Sequence, residues 1–227
     1  MQLTTSLLHH HIIRHFVDLG YPPSVRALST ALGQGEVAVV QALQRLQDDH
    51  GVVLHPNTSE VWVAHPFAGA PTTFWVEAAD GGWWANCAWC ALGVVSLIGG
   101  NATVRTTLGG ENTPVALEVR DGALKDDRYV VHFPVPMRSA WDNVLYTCST
   151  MLLFAAVADV VSWCTRHNIP IGDVQSVATV LELARVWYGR HLDEDWVKWT
   201  AEEARVIFAR LGLGGPIWEL PASEGRF

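Results

Sequence analysis

The stretch Cys87-Ala88-Trp89-Cys90-Ala91-Leu92-Gly93-Val94-Val95-Ser96-Leu97-Ile98 decides how the chain folds, because it is apolar on nearly every side. A surface helix has one apolar face, whereas a helix that is apolar all round is buried. We therefore predict a buried helix here. Runs rich in β-branched and aromatic residues on either side of it predict strands; these runs are 72–76, 102–107, 115–119 and 129–135.

Three more helices are predicted beyond these strands, over residues 144–167, 175–191 and 193–211. The first is again apolar nearly all round, and the last opens with acidic residues that suit a helix N-terminus. The fold class that follows is α+β. Residues 66–227 are predicted to form a domain with a mixed β-sheet and buried helices.

Residues 1–65 read as a separate helical unit. Apolar residues at helical spacing, interrupted by Pro22-Pro23 and by Gly33, predict three helices. Two short β-type runs, 52–54 and 60–63, follow around a turn. Three helices and a hairpin predict a winged-helix-like N-terminal domain ahead of the α+β domain.

The charge of this unit argues against nucleic acid as a partner. The whole chain has 15 Lys and Arg against 23 Asp and Glu, a formal net charge of −8. Residues 1–65 carry three arginines against five acids, a net of −2. Affinity for a duplex depends on neutralising phosphates with basic side chains. We therefore predict that the domain does not bind DNA or RNA.

The sequence also predicts a cytoplasmic protein with no membrane partner. Its longest apolar run, residues 151–157, falls well short of the ~20 residues that span a bilayer. No basic region and cleavage site of a signal peptide follow Met1. The four cysteines are then expected to be reduced thiols, available as ligands, nucleophiles or core residues.

Cys87 and Cys90 form an isolated CxxC pair. A structural zinc site needs four ligands, and no second pair stands at the spacing of a zinc finger. A thioredoxin-like motif would need a strand before it, where the sequence has Gly81-Gly82-Trp83-Trp84. The histidine tract at residues 9–11, with His15, lacks the glutamate of a zincin motif and is not predicted to bind metal.

Around these cysteines the sequence resembles the alkylmercury (organomercurial) lyase family. Trp89-Cys90-Ala91-Leu92, followed by an apolar helix and the strand at 102–105, resembles the core of that family. Residues 147–155, with Cys148 and a trailing Phe-Ala, resemble its second cysteine segment. Residues 174–192, ending Gly189-Arg190-His191-Leu192, resemble its C-terminal helix.

The resemblance implies a reaction and its residues. Two thiolates, Cys90 and Cys148, would hold the mercury of R–Hg⁺, because soft sulfur ligands suit a soft metal. An acid then protonates the carbon and releases R–H. The substrate is a small organomercurial, mercury is substrate or product, and no cofactor is required.

One position departs from the family. The proton-shuttling aspartate that the resemblance implies three residues after the first cysteine is Gly93 here, which has no proton to give. Cys87, one helical turn before Cys90, and Asp142, six residues before Cys148, are the candidate replacements. Because aspartate serves well at a helix N-terminus, capping is the favoured interpretation of Asp142.

Two other functions stay open at this point. The chain could bind a soft metal without cleaving the carbon–mercury bond. It could instead use a cysteine as a nucleophile on an organic electrophile.

The 11 tryptophans suggest the surroundings of the thiols. Trp83, Trp84, Trp89 and Trp141 lie near the cysteines in sequence, which predicts an aromatic pocket suited to an apolar R group. Trp187, Trp196 and Trp199 are expected to serve ordinary packing.

Overall fold

A computed structural model describes residues 3–220, which form eight α-helices and eleven strands. The helices are α1 Thr5–Leu19, α2 Val25–Leu32, α3 Glu36–Asp48, α4 Ala88–Leu97, α5 Val144–Thr150, α6 Val157–His167, α7 Val177–Tyr188 and α8 Ala201–Arg210. The strands are β1 Val53–Leu54, β2 Val61–Ala64, β3 Phe67–Ala68, β4 Phe74–Ala78, β5 Gly81–Ala85, β6 Ala102–Thr107, β7 Pro114–Arg120, β8 Ala123–Leu124, β9 Val130–Phe133, β10 Leu153–Phe154 and β11 Asp173–Ser176.

The strands form two sheets, and the α+β class is confirmed. The larger sheet has the order β1-β2-β3-β5-β4-β6-β7-β8, and the smaller one β10-β9-β11. Every strand pairing among the described residues is antiparallel, so the prediction of a mixed sheet is wrong. Parallel neighbours need a long crossover, whereas β4–β5 and β6–β7 are joined by short turns that favour antiparallel pairing.

The buried central helix is confirmed as α4. It connects β5 to β6, which lie on either side of β4 in the sheet, so α4 crosses over that strand. Its residues from Ala88 to Val95 are all buried. The helix packs against the sheet on one side and against α7 on the other. Both ends of the CxxC pair are thereby held in the core.

The single helix predicted over residues 144–167 is wrong. The chain leaves the helical conformation after α5, pairs Leu153 with Val131 of β9, and resumes a helix at α6. A short apolar run has the same composition in a buried strand as in a buried helix, so periodicity could not separate them. The break brings the end of α5 back to α4, where the Ala88 amide donates to the Met151 carbonyl.

The two C-terminal helices are shorter than predicted. α7 begins after Ser176, whose side chain accepts from the Thr179 amide. α8 begins at Ala201 rather than at residue 193, because Thr200 and Glu203 form a capping box there. Residues 193–200 are left as a non-helical segment, and it carries Trp196, Lys198 and Trp199.

The N-terminal helices and hairpin are present close to their predicted positions. β2 pairs with β3 across His65-Pro66, so the hairpin of residues 53–64 is continuous with the larger sheet. The winged-helix assignment and the domain boundary at residue 65 stay predictions. No helix among residues 3–220 has the length and apolar character to cross a bilayer.

Candidate functional site

A cavity of about 70 Å³ lies where the N-terminal part, α4, α5 and α7 meet. It is lined mainly by aromatic rings, histidines, thiols and one lysine. Its lining residues include His9, His50, His65, Cys87, Trp89, Cys90, Trp141, Cys148, Trp187, Tyr188, His191, Trp196, Lys198 and Trp199. Three of the four cysteines therefore face one enclosed space.

The start of α4 positions two of the thiols. Cys87 is the N-cap, and its Sγ accepts from the Cys90 amide at 3.3 Å. Serine, threonine and aspartate usually take the N-cap position, because their side chains accept a hydrogen bond from a backbone amide. The Cys87 sulfur does the same, so this hydrogen bond holds it in place in addition to packing. Cys90 then lies in the first turn, where the partial positive charge of the helix N-terminus favours a thiolate.

The end of α5 supplies the third thiol. Cys148 is buried in α5, and its Sγ lies 3.5 Å from Nε2 of His65. Met151 follows one turn later and receives the Cys87 thiol on its thioether sulfur at 3.6 Å. The backbone contact between residues 88 and 151 fixes α4 against α5, so the approach of the sulfurs is built into the core.

One imidazole and two thiols form a possible ligand set. Nitrogen of His65 and the sulfurs of Cys90 and Cys148 all lie within 4.8 Å of one another. This is the one group of three or more histidine, cysteine or acidic ligands that residues 3–220 bring together. Cys90 and Cys148, which were predicted to act as a pair, therefore lie together in space. His65 lies with them.

The three thiols differ in their tendency to ionise. Burial opposes ionisation of Cys90, but neighbouring groups outweigh it and hold the pKa of its thiol well below the usual value. These groups are the thiols of Cys148 and Cys87, the His65 imidazole and the Tyr188 hydroxyl.

The other two sulfurs behave in the opposite way. Burial raises the pKa of the Cys87 thiol well above its usual range. Hydrogen bonds with the other two sulfurs, and burial, do the same to the pKa of Cys148. The site therefore favours one thiolate beside two thiols, because a second negative charge in a buried cavity is costly.

Burial disfavours the charged forms of the bases around the cavity. It lowers the pKa of His65 and lowers that of His191 to about 3, so both imidazoles are neutral at pH 7. Burial also lowers the pKa of Lys198 to about 7, and its Nζ lies 4.0 Å from the centre of the Trp141 ring. A cavity of neutral imidazoles and apolar rings, with a lysine only partly charged at pH 7, suits an organic group more than a hydrated ion.

Tyr188 occupies the space beside Gly93. A Cβ built on Gly93 would overlap the tyrosine ring, lying 2.6 Å from its Cε2, and would also press on Pro66. The Tyr188 hydroxyl lies 3.5 Å from Sγ of Cys90. Burial, reinforced by the Cys90 charge, raises the pKa of this phenol well above its usual range. The hydroxyl therefore keeps its proton next to the thiolate.

The aromatic wall differs from the predicted one. Trp89 and Trp141 line the cavity as expected, but Trp83 and Trp84 do not. Trp83 donates to the Phe16 carbonyl at 2.7 Å, which ties it to α1. The remaining indoles of the wall are those predicted to serve ordinary packing, namely Trp187, Trp196 and Trp199. Proximity in sequence is a poor guide because residues 187–199, far from the cysteines in sequence, supply three of the five indoles.

Asp142 and Cys164 lie outside this cavity lining. Asp142 is exposed, and the cap of α5 is its neighbour Asn143, whose side chain accepts from the Tyr146 amide. The capping interpretation of Asp142 is therefore wrong by one residue. Cys164 is buried on α6 against His132.

Sequence patterns do not single out His65, Tyr188, His191 and Lys198, four polar residues that line the cavity. Tyr188 and His191 stand in the segment 174–192, whose resemblance to the family's C-terminal helix was a usable signal. His65 and Lys198 had none, since each is an isolated polar residue. A strand, β5, also precedes the CxxC pair where a turn was expected, so that reason for rejecting a redox motif is wrong.

The histidine tract divides between two environments. His9 is buried in the cavity wall and stacks on Trp196 at 3.6 Å between ring centroids. Nδ1 of His15 instead contacts the Tyr21 carbonyl at 2.9 Å, away from the thiols. Neither residue belongs to the one possible ligand group among the described residues.

Comparison with known proteins agrees with the arrangement. The sequence model of MerB, alkylmercury lyase, matches residues 67–189, which is more than half of the chain. The solved mercury-bound form of MerB2 is similar in structure with a TM-score of 0.63 and 19% sequence identity, covering 82% of this chain and 90% of that one. At this identity the likeness shows the fold alone. No curated protein matches the sequence significantly.

Proposed function

Because the chain belongs to the alkylmercury lyase family, we propose that it is an organomercurial-lyase-like enzyme that cleaves a carbon–mercury bond by protonolysis. The observation that carries the proposal is the convergence of the Cys90 and Cys148 sulfurs in a cavity lined by aromatic rings. Two sulfurs at this separation can share one soft cation, and the wall can hold an apolar organic group.

The ionisation of the thiols sets an order of events. Cys90, the thiolate, attacks the mercury of R–Hg⁺ first. Cys148 follows as the second ligand when its proton leaves, and the electron pair of the breaking carbon–mercury bond takes up a proton to give R–H. Overall, R–Hg⁺, the Cys90 thiolate and the Cys148 thiol give R–H and mercury bound by two thiolates.

Two further groups support the mercury ligands. His65, in contact with Cys148, can accept its proton or act as an additional nitrogen ligand. Cys87 lies between the helix N-terminus and Met151, where it can serve as a third sulfur during transfer of the product mercury. Asp142, exposed and outside the lining, is assigned no part in the reaction.

A second cleft lies next to the cavity. It encloses about 340 Å³ and shares His50, Trp196 and Lys198 with the inner space. Asp48 and Asp49 line the cleft, so its entrance favours a cationic species such as R–Hg⁺. The inner wall is apolar and favours the organic group over water.

A second candidate function is soft-metal binding without cleavage. The ligand set of His65, Cys90 and Cys148 favours it, because an imidazole and two sulfurs can hold a soft ion whether or not a proton donor is present. The two functions differ only in whether hydrocarbon is released.

The experiment compares the protein with its Cys90→Ser and Cys148→Ser variants. Each is incubated with one equivalent of phenylmercury, washed, and analysed for bound mercury and for benzene. We expect the parent to release benzene and keep mercury, and each serine variant to lose both. Tight binding by the parent without benzene would favour the non-cleaving function. Unchanged binding by both serine variants would contradict the site itself.

A further inference from the structure

Cleavage of a carbon–mercury bond by protonolysis requires a proton donor beside the mercury ligands. Gly93, on the turn of α4 after Cys90, carries no side chain that could supply it. The space beside Gly93 is filled from another element, because the ring of Tyr188 on α7 lies where a Cβ at position 93 would be. A glycine at 93 is therefore what allows the tyrosine to reach Cys90.

The tyrosine is held firmly in this place. Its side chain is 3% exposed. Its ring packs at an angle to Trp89, 5.8 Å between centroids, and edge-on to His191 at 5.0 Å. The Tyr188 carbonyl also accepts from the His191 amide at 2.8 Å. These contacts leave the hydroxyl pointing at Sγ of Cys90, 3.5 Å away.

Other groups with exchangeable protons also surround Cys90. The Cys87 thiol donates to the Met151 sulfur, and its Sγ accepts from the Cys90 amide. The Cys148 thiol lies beside Cys90 and contacts His65. Lys198 lies over the Trp141 ring. Among the residues that line the cavity, the hydroxyl of Tyr188 is the oxygen acid in contact with the sulfur that attacks first.

We propose that Tyr188 is a catalytic residue whose hydroxyl delivers the proton to the carbon of an organomercurial bound on Cys90. The proposal rests on the proposed lyase function and adds the proton donor to it. Tyrosine is an established general acid when it is held at the reacting atoms.

The step balances without any other reactant. The carbon–mercury bond breaks, and its electron pair forms the new carbon–hydrogen bond with the phenol proton. The Cys148 thiol gives its proton to the phenolate as its sulfur binds mercury, which restores Tyr188. Nothing is oxidised or reduced, and the products are R–H and mercury held by Cys90 and Cys148.

The test is Tyr188→Phe, which keeps the ring that fills the space beside Gly93 and removes the hydroxyl alone. We expect it to bind one equivalent of phenylmercury as the parent does, while benzene release in a single turnover falls at least about 100-fold. Tyr129→Phe is the matched control, since Tyr129 is also buried and its hydroxyl accepts from Arg128 outside the cavity. It should bind and release like the parent.

A second pair of variants tests whether a proton donor is needed beside Gly93, whichever residue supplies it. Tyr188→Ala empties the space beside Gly93 and should abolish release. Adding Gly93→Asp to that variant puts a carboxyl group into the vacated space and should restore part of it. Restoration in the double variant, with none in Tyr188→Ala, supports a proton donor at this point of the cavity.

Three results would overturn the proposal in distinguishable ways. Benzene release by Tyr188→Phe at the parent rate would exclude Tyr188 as the donor and leave the lyase function standing. Loss of phenylmercury binding by Tyr188→Phe would show that the hydroxyl serves the thiolate instead. No benzene from the parent would remove the lyase function itself, and the donor with it.

Discussion

Two cysteine–histidine pairs in this protein have the same sulfur–nitrogen distance but different surroundings. Sγ of Cys148 lies 3.5 Å from Nε2 of His65, and Sγ of Cys164 lies 3.5 Å from Nε2 of His132. The first pair faces two more sulfurs and a cavity. In the second, the same His132 nitrogen also contacts the Ile171 carbonyl at 2.8 Å. A cysteine–histidine contact alone therefore does not indicate a ligand site. Further ligands must converge on the same cavity.

The difference has a structural origin. Cys148 comes from a short helix that the chain folds back onto α4, so its sulfur meets those of Cys87 and Cys90. Cys164 projects from α6, where His132 and the Pro170 carbonyl contact its sulfur. Burial raises the pKa of the Cys164 thiol, and no charged neighbour opposes it. It therefore has the features of a core residue.

The largest difference in mercury affinity is expected between the Cys148→Ser and Cys164→Ser variants. An alcohol oxygen is a poor ligand for a soft metal, so Cys148→Ser should weaken mercury binding on the order of 100-fold or more. Cys164→Ser should leave it unchanged. Competition with a thiol chelator measures both. Equal losses in the two variants would break the distinction between the pairs.

A smaller difference in mercury affinity is expected between variants of the two histidines. His65→Gln removes the imidazole next to Cys148 and should lower mercury affinity by about 10- to 100-fold, the range for groups that support a ligand. His132→Gln should lower the melting temperature instead, because it disturbs contacts with the carbonyls of Pro170 and Ile171. An effect of His132→Gln on mercury affinity at unchanged stability would contradict the assignment.

Packing at Gly93 gives a third comparison. Gly93→Ala should destabilise the fold by about 1–3 kcal/mol, since its methyl group overlaps the Tyr188 ring and presses on Pro66. Gly214→Ala is a control for the added methyl group alone, because a Cβ there meets nothing within 4 Å and its φ is not positive. Chemical denaturation gives both values. A cost at Gly93 no greater than at Gly214 would mean that the tyrosine yields easily.

The smallest effect concerns the pH dependence of thiol reactivity. The pKa of Cys90 lies below the usual value, so its thiolate persists as the pH falls, whereas the raised pKa of Cys164 leaves it a thiol until the pH is high. A small methylthiolating reagent should modify Cys90 at pH 6 and leave Cys164 unmodified. Mass spectrometry of the peptides identifies the sites. Preferential modification of Cys164 at pH 6 would reverse the expected order.

Elements with a strong local signal could be predicted from the sequence. α2 and β6 lie where the spacing placed them, and the all-round apolar character of α4 indicated its burial correctly. The break between α5 and α6 could not be predicted, because pairing of Leu153 with β9 decides it and that partner is 22 residues earlier in sequence. Local patterns carry no information about such distant partners.

The candidate site was likewise predictable only where the sequence carries a local signal. Cys90 and Cys148 stood out through segments that resemble a family, and the fold brings their sulfurs together. Tyr188 and Lys198 reach the cavity only through the packing of α7 and of the non-helical segment before α8. Gly93 marked a missing side chain in the sequence, but what fills its place is visible only in three dimensions.

The most direct test of protonolysis in this cavity follows the origin of the proton. The protein is incubated in D₂O with phenylmercury and a large excess of free thiol, and the hydrocarbon is analysed by mass spectrometry over several turnovers. Enzymatic protonolysis predicts singly deuterated benzene in excess over the protein, and none with Cys90→Ser. Phenylmercury that remains intact on the parent protein would contradict it.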